Sequence, residues 1–143
     1  MANGTSFTTQ GFEDIATYGT YWCDRSLLLL FTDGIDPHMS MHLSDFTEAS
    51  FPGYARIEIA TGPVSPVWNP ILLFAEADYG VLTFTLSADV SPVSIYGIGV
   101  LSEALIFRWA YMQPTPYATV QHAGDTVNVH LVLDWASQQA LVP

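Results

Sequence analysis

From Ser26 onward the hydrophobic positions fall in short runs broken by Gly, Pro, Asp and Ser, a pattern of strands and turns. The clearest run is 126–135, where Val127, Val129, Leu131, Leu133 and Trp135 alternate with Asn128, His130, Val132 and Asp134. A period of two predicts a strand with one face buried. Residues 54–60 alternate the same way, with Ala55, Ile57 and Ile59 against Arg56 and Glu58. Denser apolar segments at 26–32 (SLLLLFT), 68–75, 81–87, 93–101 and 104–110 also read as strands. Turn chemistry separates them, as at Asp33-Gly34-Ile35-Asp36-Pro37 and at 121–125, where His122 reads as a turn residue. Residues 43–49 (LSDFTEA), with Ser44 as N-cap, predict one helical turn or a tight loop. Pro114 and Pro116 favour an extended loop over 113–117. Helical spacing occurs at the front, where Phe12, Ile15, Ala16 and Gly19 suggest a short helix within 10–22.

Several short strands with turns between them predict an all-β fold, a β-sandwich or jelly-roll-like arrangement with a short N-terminal helix. A chain of 143 residues is one domain's length. We expect a single domain over 1–143, with a flexible N-terminal arm at about 1–10 and a C-terminal tail at about 136–143.

Composition then narrows the partners. Half the residues are hydrophobic and 12% are charged, where roughly 25% charged is usual. So few charges leave apolar surface exposed on a lone subunit, which points to self-association or docking. Fourteen acidic residues face only Arg25, Arg56 and Arg108, with no lysine, for a net charge of −11. Three scattered arginines make no phosphate-binding patch, so nucleic acid and anionic membranes are not expected partners. Cys23 is alone and reads as a small buried hydrophobe. The opening residues lack the basic start and apolar stretch of a secretory signal. Apolar runs stay well short of the roughly 20 residues that span a bilayer, so a soluble protein is expected.

Candidate chemistry is sparse. The nucleophile elbow, the phosphate-binding glycine loop, the zinc-protease helix and the dinucleotide fingerprint are all missing. His38 and His42, beside Asp36 and Asp45, would suit a metal only on a helix, which Pro37 disfavours, so a solvated loop is expected. His130 falls on the polar side of its strand. Glu13 with Asp14, Asp45 with Glu48, and Glu76 with Asp78 are the pairs a glycoside hydrolase would use, but any acidic chain contains such pairs. Asp33, Asp36 and Asp78 lack the spacing of a calcium loop. The tryptophans and tyrosines are expected in the core or at a subunit interface, with stacking on sugars as the alternative. The expectation is therefore no catalytic, cofactor or metal site, and a protein that is not an enzyme.

Four blocks carry a resemblance. Leu29-Leu30-Phe31-Thr32, then Asp45-Phe46-Thr47-Glu48-Ala49 with Gly53-Tyr54-Ala55, then Ile95-Tyr96-Gly97 with 104–109, then Gly124-Asp125-Thr126 onward resemble the successive blocks of small structural proteins of tailed phages. The likeness spans about residues 10–136; Phe107-Arg108-Trp109 departs from the group's Glu-Arg-Phe, which puts in doubt an ion pair made there. It implies a virion component, assembled in the host cytoplasm. A net charge of −11 would be repelled by packaged DNA, which favours the outer surface of the head. The implied role is a decoration or cement protein, whose partners are the major capsid protein and further copies of itself, with a trimer as the suggested assembly. Contact candidates are Trp22, Trp68, Trp109, Pro114, Pro116, Tyr117 and Trp135, together with both terminal segments. One rival is a tail or baseplate module binding host glycans through Trp68 and Trp109. The other is a small glycan-cleaving enzyme using Glu48 or Glu76.

Overall fold

The structure, a computed structural model, describes residues 4–7, 25–59, 67–69 and 74–134; for 4–7, 68–69, 74–76 and 133–134 it describes the backbone alone. The expected N-terminal helix at 10–22 and Cys23 lie outside these residues. Ten strands follow in chain order: β1 Gly4–Phe7, β2 Leu27–Phe31, β3 Ile57–Glu58, β4 Val67–Asn69, β5 Phe74–Thr85, β6 Val93–Ile95, β7 Gly97–Leu101, β8 Phe107–Met112, β9 Ala118–Val120 and β10 Thr126–Asp134. They form a five-stranded sheet in the order β1-β8-β7-β2-β3, a three-stranded sheet in the order β10-β5-β4, and the pair β6-β9. The pairings within all three are antiparallel. The fold is an all-β sandwich, as the strand pattern implied.

The run Leu28-Leu29-Leu30-Phe31 is apolar at every position because the five-stranded sheet is covered on both faces. Leu28 and Leu30, with Ile98, Val100 and Trp109, meet Ala77, Phe84, Val127, Val129 and Leu131 of the three-stranded sheet in the main core. Leu29 and Phe31 point the other way, into a second core with Met41, Phe46, Phe107 and Met112. There the rings of Phe31 and Phe46 stack at 4.7 Å, and Phe107 meets both edge-on at 6.0 and 5.5 Å. This explains the glycine in the middle of β7. A Cβ on Gly99 would lie 2.7 Å from the Phe31 ring and 3.0 Å from that of Phe107.

Six local expectations change. The stretch 93–101 is not one strand: β6 and β7 belong to different sheets, and the chain crosses at Tyr96, whose N–H donates to Phe31 O (2.9 Å) and whose carbonyl accepts from Gln113 N (2.9 Å). The stretch 68–75 is likewise divided, since Trp68 and Ala75 are antiparallel partners on β4 and β5. β5 extends through Gly80 (φ +77), where Tyr79 and Gly80 oppose Leu131 alone in a bulge between the pairs His130–Val81 and Val132–Asp78. β8 begins at Phe107, so 104–106 belong to the turn. The single turn within 43–49 is a 3₁₀ turn over Leu43–Asp45, capped by His42 instead of Ser44: the His42 N–H donates to Asp45 Oδ2 at 2.7 Å. Gly4–Phe7, expected within the arm, lies along β8 as β1.

Candidate functional site

The block 45–56 closes one edge of β2. Its Thr47–Ala49 segment lies antiparallel to the end of β2, with Thr32 N–H on Thr47 O (2.9 Å) and Ala49 N–H on Leu30 O (2.8 Å). β3 covers the other end of that edge, pairing with Leu27 and Leu28. Between the two the Leu30 N–H has no strand to meet, and the Tyr54 hydroxyl accepts it at 3.2 Å. The same hydroxyl donates to Glu48 Oε1 at 2.8 Å. Arg56 grips Glu48 with both prongs of its guanidinium, Nε to Oε1 at 2.9 Å and Nη2 to Oε2 at 2.7 Å. Those hydrogen bonds, from Arg56 first and then Tyr54, hold the Glu48 carboxyl below its ordinary pKa against the opposing effect of burial. Burial and the adjacent carboxylate push the Tyr54 phenol well above its usual range. Gly53 (φ +86) turns the chain beside Thr85 O, where a Cβ would approach to 2.7 Å. Glu48 is thus an ion-pair partner, not a free acid.

The turn between β7 and β8 is built differently. Ser102 N–H donates to Ile106 O (2.8 Å) and Leu105 N–H to Ser102 O (2.9 Å), leaving Glu103, Ala104 and Leu105 as a three-residue loop. In such loops the third residue adopts the left-handed conformation and is usually glycine. Here it is Leu105, with φ +61 and 60% of its surface exposed. Ile106 beside it is also exposed, and its N–H donates to Ser102 Oγ at 3.0 Å. Arg25 (φ +53) is the other non-glycine residue at positive φ among the described residues, and it pairs with Glu103 of this turn at 3.4 Å. Arg108, in the segment that departs from the resembling group, donates to the buried Ser26 hydroxyl at 3.0 Å.

At the other end of the β7–β8 hairpin a groove of about 190 Å³ opens between the two main sheets, lined chiefly by Ile98, Trp109, Tyr111, Tyr117, His130 and Val132. Tyr117 closes one side, its N–H on Ile95 O and its hydroxyl on the carbonyl of Asn128. His130 faces Asp78 at 2.8 Å across the outer face of the three-stranded sheet. The Gly80 N–H and then His130 hold the Asp78 carboxyl below its ordinary pKa.

The contact candidates separate. Pro114, Pro116 and Tyr117 are exposed, Tyr117 by 43%. Trp109 is built into the main core and is 8% exposed, its remaining surface contributing to the groove lining. Trp68 lies on β4, with its side chain outside the described residues, as are Trp22 and Trp135. Among the histidines, His38 Nδ1 meets Ser40 Oγ at 3.0 Å, and the N–H groups of His122 and Gln121 donate to Asp125, lowering its pKa. Among the described residues no three His, Cys, Asp or Glu side chains gather as a metal would need. No helix among them is long and apolar enough to cross a membrane. The side chain of Glu76 is not described, and Glu13 and Asp14 lie outside the described residues. The strained Leu105 turn and the Tyr54 bridge were missed from sequence. A five-residue connection, SEALI, without glycine or asparagine was the available signal for the first. Comparison with models of protein families, with curated proteins and with solved structures gives no match to this chain.

Proposed function

We propose that this chain is a structural protein of a tailed-phage virion that decorates the outer surface of the head, binding the shell and further copies of itself without chemistry. The observation that carries this reading is the use made of the block 45–55, a distinctive part of the resemblance, and of Arg56 beside it. The block's Glu48 and Tyr54 bind each other, Arg56 and the backbone of β2. A block so used supports the reading of a rigid scaffold that acts through its surface. The surface agrees with that role, since Leu105, Ile106, Val81, Val132 and Tyr117 are large apolar side chains left in water. A charge of −11 favours the outside of a DNA-filled shell. The test is to add purified protein to heads that lack it and sediment them. Saturable co-sedimentation at a fixed number of copies per capsomer is expected. Heads that sediment without the protein would reject the reading.

A further inference from the structure

We infer that copies of this chain associate head to tail, the Leu105–Ile106 tip of one entering the Ile98–Trp109–Tyr111–Tyr117–Val132 groove of the next. The inference rests on the self-associating role proposed above and names the surfaces that would perform it. Three observations support it.

The first is strain without an internal reason. Leu105 occupies a position made for glycine, and its side chain stands in water, where packing does not repay the backbone. A contact outside the subunit supplies the missing reason. The second is fit. A cavity of about 150 Å³ is enough to hold a benzene ring, so a groove of about 190 Å³ lined mainly by apolar and aromatic side chains takes an aliphatic tip. The tip and the groove lie at opposite ends of one hairpin, since the groove is lined at Gly97 and Tyr111 while the tip follows Leu101. One subunit therefore cannot fill its own groove with its own tip. A tip and a groove on different patches make a heterologous contact, which closes into a ring when the rotation allows. The third is charge. Most faces of a chain with net charge −11 repel a second copy. The groove lining itself contains no carboxylate, the nearby Asp78 is paired with His130 of the lining at 2.8 Å, and Glu103 beside the tip is matched by Arg25. Each of these carboxylates has a partner within its own subunit, so the two surfaces can meet without unpaired like charges.

Light scattering on the purified full chain across concentrations up to ~100 µM, which saturates micromolar contacts, tests the inference. Leu105→Asn keeps the left-handed turn with a residue that tolerates it, and Val132→Lys places a charge at the groove on an already exposed position. Wild type is expected to form species larger than a monomer, and each variant to associate at least about ten-fold more weakly, with thermal melting of Leu105→Asn no lower than wild type. Mixing the two variants is the decisive arm. One intact tip and one intact groove remain, so the mixture is expected to form dimers and nothing larger. A monomeric wild type, or association unchanged by both variants, would overturn the inference. So would a monomer that instead binds oligosaccharides of N-acetylglucosamine at the groove, which would make a glycan the occupant. Head binding by a chain that stays monomeric would leave the decoration role standing and remove only this contact.

Discussion

Beside β2, a half-buried carboxylate meets a two-pronged guanidinium and a phenol, and that phenol accepts the N–H that the strand ladder leaves over. At the end of β7, a leucine sits in a conformation that suits glycine, with its side chain in water. The first region has its polar groups paired and its backbone unstrained except at a glycine. The second accepts strain and exposed apolar surface. The difference separates what holds the sandwich together from what it presents to others. Natural sequences are locally consistent where only stability is at stake, and depart from consistency at functional positions.

The largest effect that would sharpen this contrast is expected from Glu48→Ala. It leaves Arg56 without its carboxylate and Tyr54 without its acceptor, and should lower unfolding free energy by about 2 kcal/mol, read from the urea midpoint. Tyr54→Phe removes both the donor to Glu48 and the acceptor for Leu30 N–H, and a loss of about 1.5 kcal/mol is expected by the same measurement. The tip should answer with the opposite sign. Leu105→Gly relieves the left-handed strain at some cost in unfolded-chain entropy, so stability is expected to hold or rise by up to about 1 kcal/mol while association falls. A marked loss of stability in that variant would show that the leucine serves the fold. The smallest effect is in acid. The Glu48 carboxyl titrates below its unfolded value of about 4.3, so its contribution is present above that pH and disappears as pH falls through the lower folded value. Thermal melts between about pH 5 and 3 should therefore decline, and less steeply in Glu48→Gln. The exposed Asp78 and Asp125, also held low, give a residual slope of the same sign in that variant.

Much of the sandwich was legible because burial imposes a period. The alternation in β10 marks Val127, Val129 and Leu131 as inward, and they are. The continuous run in β2 reads as a strand, and the two cores on either side of it account for its unbroken apolar character. Crossings between sheets were not legible, because Ile95 and Gly97 are equally apolar-compatible and only the bonds of Tyr96 to Phe31 and Gln113 reveal the break. From sequence β5 ends early because Asp78 and Gly80 resemble a turn, whereas Asp78 pairs with Val132 and Gly80 occupies a bulge. The tip escaped for a related reason: apolar Ala104, Leu105 and Ile106 look like strand, and only the register of β7 with β8 shows that they form the turn. For the proposed contacts, Tyr117 and the prolines were placed by turn chemistry. Trp109 turns out to be mostly buried, packed in the main core while one part of it lines the groove, because aromatic residues serve core and groove wall alike.

The central claim, a head-decorating virion protein, is tested most directly by counting. Quantitative mass spectrometry of purified virions should find this chain at a copy number comparable to the major capsid protein. A handful of copies, as a single tail ring would supply, or none at all, would contradict it.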